Sequence, residues 1–244
     1  MTIKDRIVEF IKDRYYFHVD DLKRYLENKK VQVKDDSLKK ALIRLKMDKT
    51  IYQAGRGWYS TIENVVRLNT EPIEPIIELI REELPLLDVS CWSTIQLREF
   101  FHHLPNRFVT FMYADRDALA SLKDLLSEHG FMPYLNPGKK EAEKYIELSE
   151  KIVILRPSVS QERPKSSFFT PFERILVDLF MESKALNLLD NREVIRIVSD
   201  IATNYRINVG EMLDYADRRG MKESIRKTVP ALKSTNAKQE QNLA

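Results

Sequence analysis

The chain has 244 residues, 43% of them hydrophobic and 32% charged, a globular composition whose length suits two domains. No apolar run approaches the roughly 18 residues needed to span a bilayer, and the single cysteine, Cys91, excludes an internal disulfide and any multi-cysteine zinc site. The formal net charge of +3 divides unevenly: residues 1–67 hold 16 Lys+Arg against 10 Asp+Glu, and residues 68–244 hold 24 against 27. A small basic module beside a mildly acidic remainder is the distribution expected of a domain that faces phosphates.

The opening residues Met1–Asp5 lead into a charged helix without an apolar leader, which predicts a cytoplasmic protein with no membrane partner. Thr2 is placed to cap a helix with an apolar stripe of Ile3, Ile7, Phe10 and Ile11. Tyr16-Phe17-His18-Val19 has the aromatic and β-branched content of a short strand. Asp20 or Asp21 then starts a second helix with Leu22, Tyr25 and Leu26 inward. A third helix begins near Asp36-Ser37 and buries Leu38, Ala41, Leu42 and Leu45. Thr50–Gln53 and Trp58–Ser60 flank Ala54-Gly55-Arg56-Gly57, the pattern of a β-hairpin with a glycine turn. Three helices closed by a hairpin predict a winged helix-turn-helix over residues 1–67.

The candidate chemistry lies on the third helix. At about 100° per residue, its buried stripe leaves Lys40, Ile43, Arg44 and Met47 on the far side, flanked by Lys39 and Lys46. Lys and Arg on a helix in the major groove reach guanine O6/N7 or the phosphates. Ser37 and the free N–H groups near the helix start are placed to bond a phosphate, and Arg56 stands at the hairpin tip. The candidate DNA-binding residues are therefore Ser37, Lys39, Lys40, Ile43, Arg44, Lys46, Met47 and Arg56. A Lys-rich helix face taken alone is usually just a solvated face, and a winged domain also serves as a protein-binding module.

Residues 68–75, with Pro72 and Pro75, read as a linker to a domain over 76–229. There a helix runs from Ile76 towards Pro85, and Ser93–Phe101 is helical by pattern. The strands Arg107–Tyr113, Phe131–Leu135 and Lys151–Arg156 alternate with helices over Asp117–His129 and 139–149, giving a β-α-β-α-β core. Thr170-Pro171-Phe172-Glu173 reads as a capping box that opens the first of a closing set of helices. Asp190-Asn191 and Asn208 begin two more, Gly220 ends the latter, and a short helix reaches Val229. The polar stretch 230–244 is expected to be a disordered tail. The fold class is thus α+β: a winged helix, then a mixed α/β domain with C-terminal helices.

Catalytic patterns are lacking. The chain has no GxGxxG and no GxxxxGK[ST] motif. His102-His103 are adjacent rather than at i,i+4 spacing, and Glu173 and Asp178 do not share a helix face. No catalytic residue, metal or cofactor is expected, and the protein is read as a non-enzyme.

The order of these pieces resembles the AbiEi-like antitoxins of bacterial type IV toxin–antitoxin (abortive infection) systems. The likeness is carried by the N-terminal domain ending in Gly57-Trp58-Tyr59-Ser60, by Cys91–Phe101 and by the stretch from Thr170 to Leu179, which is similar to the family's "TPERTLVDLL". It closes with Leu213-Asp214-Tyr215-Ala216-Asp217-Arg218-Arg219-Gly220, which looks like the family's "L..YA.R.G". Phe172 stands between the proline and the glutamate, and Ile175 stands where threonine is usual, so the chain resembles a divergent member. The resemblance implies a winged helix that binds double-stranded DNA at its own operon and a second domain that counters a nucleotidyltransferase toxin without a stable complex. Two other classes fit the residues: a winged-helix transcription factor that senses a small ligand, and a metal-dependent nuclease with dispersed acidic residues.

Overall fold

The computed structural model describes residues 2–102, 108–145, 151–159, 168–229 and 232. The fold is mixed α+β, with two separate sheets among the described residues. The chain forms two compact units, Met1–Val66 together with Val198–Ala244, and Arg67–Ile197.

In the first unit, α1 (Ile3–Ile11) starts from a capping box between Thr2 and Asp5. Hydrogen bonds from the Thr2 backbone and side chain hold the Asp5 carboxyl below its usual range. β1 (Tyr16–His18) leads directly into α2 (Val19–Asn28). The cap of α2 is His18, not Asp20 or Asp21: its Nδ1 accepts from the Asp20 N–H at 3.3 Å. The two aspartates fall instead in the first turn, where the helix dipole favours negative charge. α3 (Asp35–Met47) begins just before the expected Asp36, with Lys34 as an N-cap that makes no side-chain capping bond.

β2 (Tyr52–Gln53) and β3 (Trp58–Ser60) pair antiparallel, and β1 joins β3 on its other edge to give the order β1-β3-β2. Gly55 (φ +115°) and Gly57 (φ +74°) make the connecting turn. Beneath the sheet lies a core of Ile7, Phe10, Phe17, Leu22, Leu38, Leu42, Leu45 and Ile51. Phe17 joins its two sides, edge-on to Phe10 at 5.6 Å and stacked on Tyr59 at 5.4 Å.

The first helical turn of the second unit lies inside the expected linker. Glu71–Ile73 forms a 3-10 turn and α4 (Glu74–Glu83) follows at once, with Ile73 only 1% exposed in the core. Pro72 and Pro75 occupy first-turn positions, where a missing N–H costs nothing, so they start helices here rather than mark a linker. β4 (Val89–Ser93) is a strand that periodicity did not reveal. It is followed by a 3-10 helix over Thr94–Phe100, capped by Ser93 and Gln96. β5 (Thr110–Ala114), α5 (Leu119–Glu128), β6 (Met132–Leu135), α6 (Lys139–Tyr145) and β7 (Ile152–Pro157) supply the β-α-β-α-β core. The sheet order is β4-β5-β7-β6, antiparallel between β4 and β5 and parallel elsewhere. Cys91 is fully buried in this sheet, and burial pushes its thiol up to about 12.

α7 (Phe172–Leu186) follows, but the expected capping box is not formed. The N-cap is Pro171, and the Thr170 hydroxyl is bonded at 2.6 Å to that of Ser90, which ties the segment to β4. α8 (Asn191–Asn204) has its first turn bonded by Asp190 and contains the division between the units.

α9 (Val209–Arg218), capped by Asn208, and α10 (Lys222–Thr228) return to the first unit. The compact units therefore do not follow the linear division at 67/76, because backbone and hydroxyl bonds tie residues 205–210 to the N-terminal sheet. Of the expected tail 230–244, all but residue 232 lies outside the described residues. Among the described residues no helix is long and apolar enough to cross a membrane.

Candidate nucleic-acid interface

Division by units keeps the charge asymmetry. The first unit holds 23 Lys+Arg against 16 Asp+Glu, and the second holds 17 against 21.

Helical periodicity places the candidate side chains of α3 away from Leu38, Leu42 and Leu45. Ser37, Lys39, Lys40, Ile43, Arg44, Lys46 and Met47 are all exposed there, Met47 to 78% and Ile43 to 44%. Lys39, Lys40 and Arg44 make no ion pair and no side-chain hydrogen bond among the described residues. Three unneutralised cations on one helix therefore present their full charge to solvent. Around them other charges are paired, as in Lys4–Asp48 at 2.7 Å and Lys23–Asp35 at 2.8 Å. The Asp35 carboxylate raises the Lys23 ammonium above its usual range.

The start of α3 is a poorer anion site than its sequence suggests. Asp35 and Asp36 occupy the first turn and offset the positive end of the dipole. The Ser37 N–H already donates to the Lys34 carbonyl at 2.9 Å, which leaves the hydroxyl as its free donor. The unneutralised positive charge of the helix therefore rests on Lys39, Lys40 and Arg44, beyond its first turn.

Lys46 connects this helix with the hairpin, at whose turn Arg56 stands. The Lys46 Nζ donates to Gln53 Oε1 at 3.4 Å, and Gln53 Nε2 donates in turn to the carbonyls of Gly55 and Trp58. Arg56 is exposed at the turn and has no ion pair among the described residues. On one side of that turn the His18 imidazole fills the space a Gly57 side chain would need, and its ring meets Trp58 edge-on at 5.3 Å. On the other side stand Asn208 and Gly210, residues that sequence reasoning placed in the other domain. The capping pattern at Asn208 was visible, but its distance from Gly55 in the chain hid the contact.

A second charged cluster, which sequence reasoning missed altogether, lies at the carboxyl ends of the parallel strands of the second unit. Arg156 on β7 donates through Nε and Nη2 to both oxygens of Glu182 at 2.7–3.2 Å. Its Nη1 donates to Asn136 Oδ1 and to the Pro137 carbonyl, each at 2.9 Å. Glu182 also accepts from the Tyr113 hydroxyl at 3.3 Å. The Arg156 and Glu182 side chains are 11% and 5% exposed, so this bidentate pair joins α7 to the sheet. The nearest sequence signal was an arginine closing the most apolar strand.

No group of three or more His, Cys, Asp or Glu suited to a metal occurs among the described residues. The His102 N–H donates to Glu193 Oε1 at 3.3 Å, and His103 lies outside the described residues.

A family of unknown function, DUF6577, matches the chain over residues 37–235. The protein belongs to the DUF6577 family. The DUF6577 match opens at Ser37, in the first turn of α3, and so takes in the exposed cationic face, the hairpin and the α9 turn behind it. No curated protein matches the chain.

Proposed function

We propose that the protein is a cytoplasmic, non-enzymatic transcriptional regulator that binds double-stranded DNA through a winged helix-turn-helix. In this reading α1, α2 and α3 with β1–β3 form the winged domain, α3 is the recognition helix and the β2–β3 turn is the wing. The observation that carries it is the row of exposed, unpaired cations Lys39, Lys40 and Arg44 on α3, with Arg56 on the adjacent turn. Exposed cations on a helix and a neighbouring loop suit the major groove and its flanking phosphates. Ile43 and Met47, apolar and exposed among them, suit the methyl group of thymine.

The likeness to AbiEi-like antitoxins extends the proposal. The protein represses its own operon and counters a nucleotidyltransferase toxin encoded beside it, with no stable complex between the two. The test has two arms. Full-length protein is titrated against a duplex carrying the promoter region of its own gene at several salt concentrations, and it is co-expressed with the adjacent gene in a growth assay. Binding that weakens steeply with salt, and that is abolished in the Lys40→Ala/Arg44→Ala double variant, supports the DNA reading. Equal binding by parent and double variant shows that α3 is not the reading surface, and a parent that does not bind the duplex overturns the DNA reading. Failure to rescue growth overturns the antitoxin role alone.

A further inference from the structure

We propose that the amino-terminal turn of α9 is a working part of the DNA-reading module: Asn208 and Gly210 position the wing and thereby fix where Arg56 meets the duplex. The inference rests on the DNA-binding reading above and carries it to a segment far along the chain.

The contact is close, and the Asn208 side chain and the Gly210 backbone share it. A Cβ on Gly55 would lie 2.6 Å from Asn208 Oδ1 and 2.7 Å from the Gly210 nitrogen, while one on Gly210 would lie 3.3 Å from the Arg56 nitrogen. Two glycines thus let the turn and the helix start meet backbone to backbone, joined by the Gly210 N–H donating to the Ala54 carbonyl at 3.3 Å. Asn208 is itself fixed, because its Oδ1 caps α9 by accepting from the Glu211 N–H at 3.1 Å.

The approach to this turn is anchored just as firmly. The Tyr16 hydroxyl, on a residue 2% exposed, donates to the Tyr205 carbonyl at 2.7 Å and accepts from the Ile207 N–H at 3.1 Å. The Arg206 N–H donates to the Asn64 carbonyl at 2.6 Å, and its guanidinium lies 4.7 Å from the centre of the Tyr52 ring. β2 has only two residues and lies at the sheet edge, so its own pairing does little to fix the turn. An arginine on a loose loop loses affinity to the cost of ordering that loop, whereas one on a braced loop does not. Asn208 and Gly210 are therefore positioning residues, and Arg56 is the residue that touches the duplex.

The experiment measures binding of the full chain to the promoter duplex of its own gene as a function of salt. The variants are Arg56→Ala, Gly210→Val, their combination, and Tyr16→Phe. Removing one phosphate interaction makes the plot of log K against log salt shallower by about 0.9. Arg56→Ala is expected to change the slope by that amount, Gly210→Val to do the same with cooperative thermal unfolding retained, and the combination to do no more than either. Tyr16→Phe keeps the ring and removes only the anchoring hydroxyl, so it decides the matter if Gly210→Val does not fold. In that background Arg56→Ala should have less effect than in the parent. Parent slopes in both Gly210→Val and Tyr16→Phe, or an effect of Arg56→Ala that is undiminished by them, would overturn the positioning role. A parent protein that does not bind the duplex overturns the DNA reading, and this inference falls with it.

Discussion

Arg44 and Arg156 are both arginines on regular elements, yet the two units use them in opposite ways. Arg44 stands exposed on α3 with no ion pair among the described residues, whereas Arg156 donates to Glu182, Asn136 and Pro137 from a nearly buried position. The first unit leaves charge unneutralised at its surface and fills its interior with Ile, Leu and Phe. The second carries a net negative charge and places an ion pair inside. A cation that its own fold has not neutralised is available to a partner, and one whose three guanidinium nitrogens are all bonded serves the fold. Substitutions in the first unit should therefore register in binding, and those in the second in stability.

The largest effect tests the second half of that contrast. Glu182→Ala leaves Arg156 buried without its counter-ion, and breaking a buried pair costs about 3–5 kcal/mol. Denaturant unfolding should show the loss, and DNA affinity of the protein still folded should stay at the parent value. A cost below about 1 kcal/mol, as for an exposed pair, would mean that Arg156 behaves as a surface cation after all.

Slightly smaller is the cost of a core leucine in the first unit. Leu45→Ala removes a fully buried side chain beneath the sheet and should destabilise by about 2–5 kcal/mol. Arg44→Ala, one residue away on the opposite face, should leave the melting temperature unchanged and weaken DNA binding by about 1–3 kcal/mol if it makes a bidentate base contact. The neighbours thus separate fold from partner within one turn of helix. A fall in melting temperature for Arg44→Ala comparable to that of Leu45→Ala would erase the distinction.

The two units also differ in how far the sequence alone reveals them. In the N-terminal segment each helix carries an apolar stripe at helical spacing and each strand is flanked by a turn, so α1 to β3 emerge within a residue or two of their bounds. The exposed face of α3 follows from the same periodicity. What local pattern does not carry is pairing over distance. β4 packs on both faces, so Val89–Ser93 lacks the alternation of a half-buried strand, and its neighbour β5 lies well beyond it in the chain. Pro72 and Pro75 look like linker residues until the helices that they start are seen. The Arg156–Glu182 pair and the Gly55–Gly210 contact have no local signature, because each partner is an ordinary residue where it stands. The expected capping box at Thr170 failed for a related reason: Ser90, on β4, takes the hydroxyl that the helix would have used.

The smallest expected effect concerns the two apolar residues among the cations. Ile43 and Met47 lie four apart on α3, so their side chains neighbour one another, and both are exposed beside Lys40 and Arg44. In water such a pair is mildly unfavourable, but in a major groove it can cover the 5-methyl group of thymine and remove it from solvent. Burying one methyl group is worth about 0.8 kcal/mol, roughly fourfold in affinity. Replacing thymine by uracil at one position of the bound duplex removes that methyl and leaves the hydrogen-bonding edge unchanged. A scan of single thymine-to-uracil replacements against the full chain should therefore find at least one position with a loss of that size. The same position should lose its sensitivity in Ile43→Ala or Met47→Ala, while the salt dependence stays at the parent slope, since no charge is altered. If no thymine methyl matters, Ile43 and Met47 do not read the base edge, and the comparison reduces to charge alone. If one does, the exposed face of α3 contributes base recognition as well as attraction, which the bonded arginine of the second unit does not.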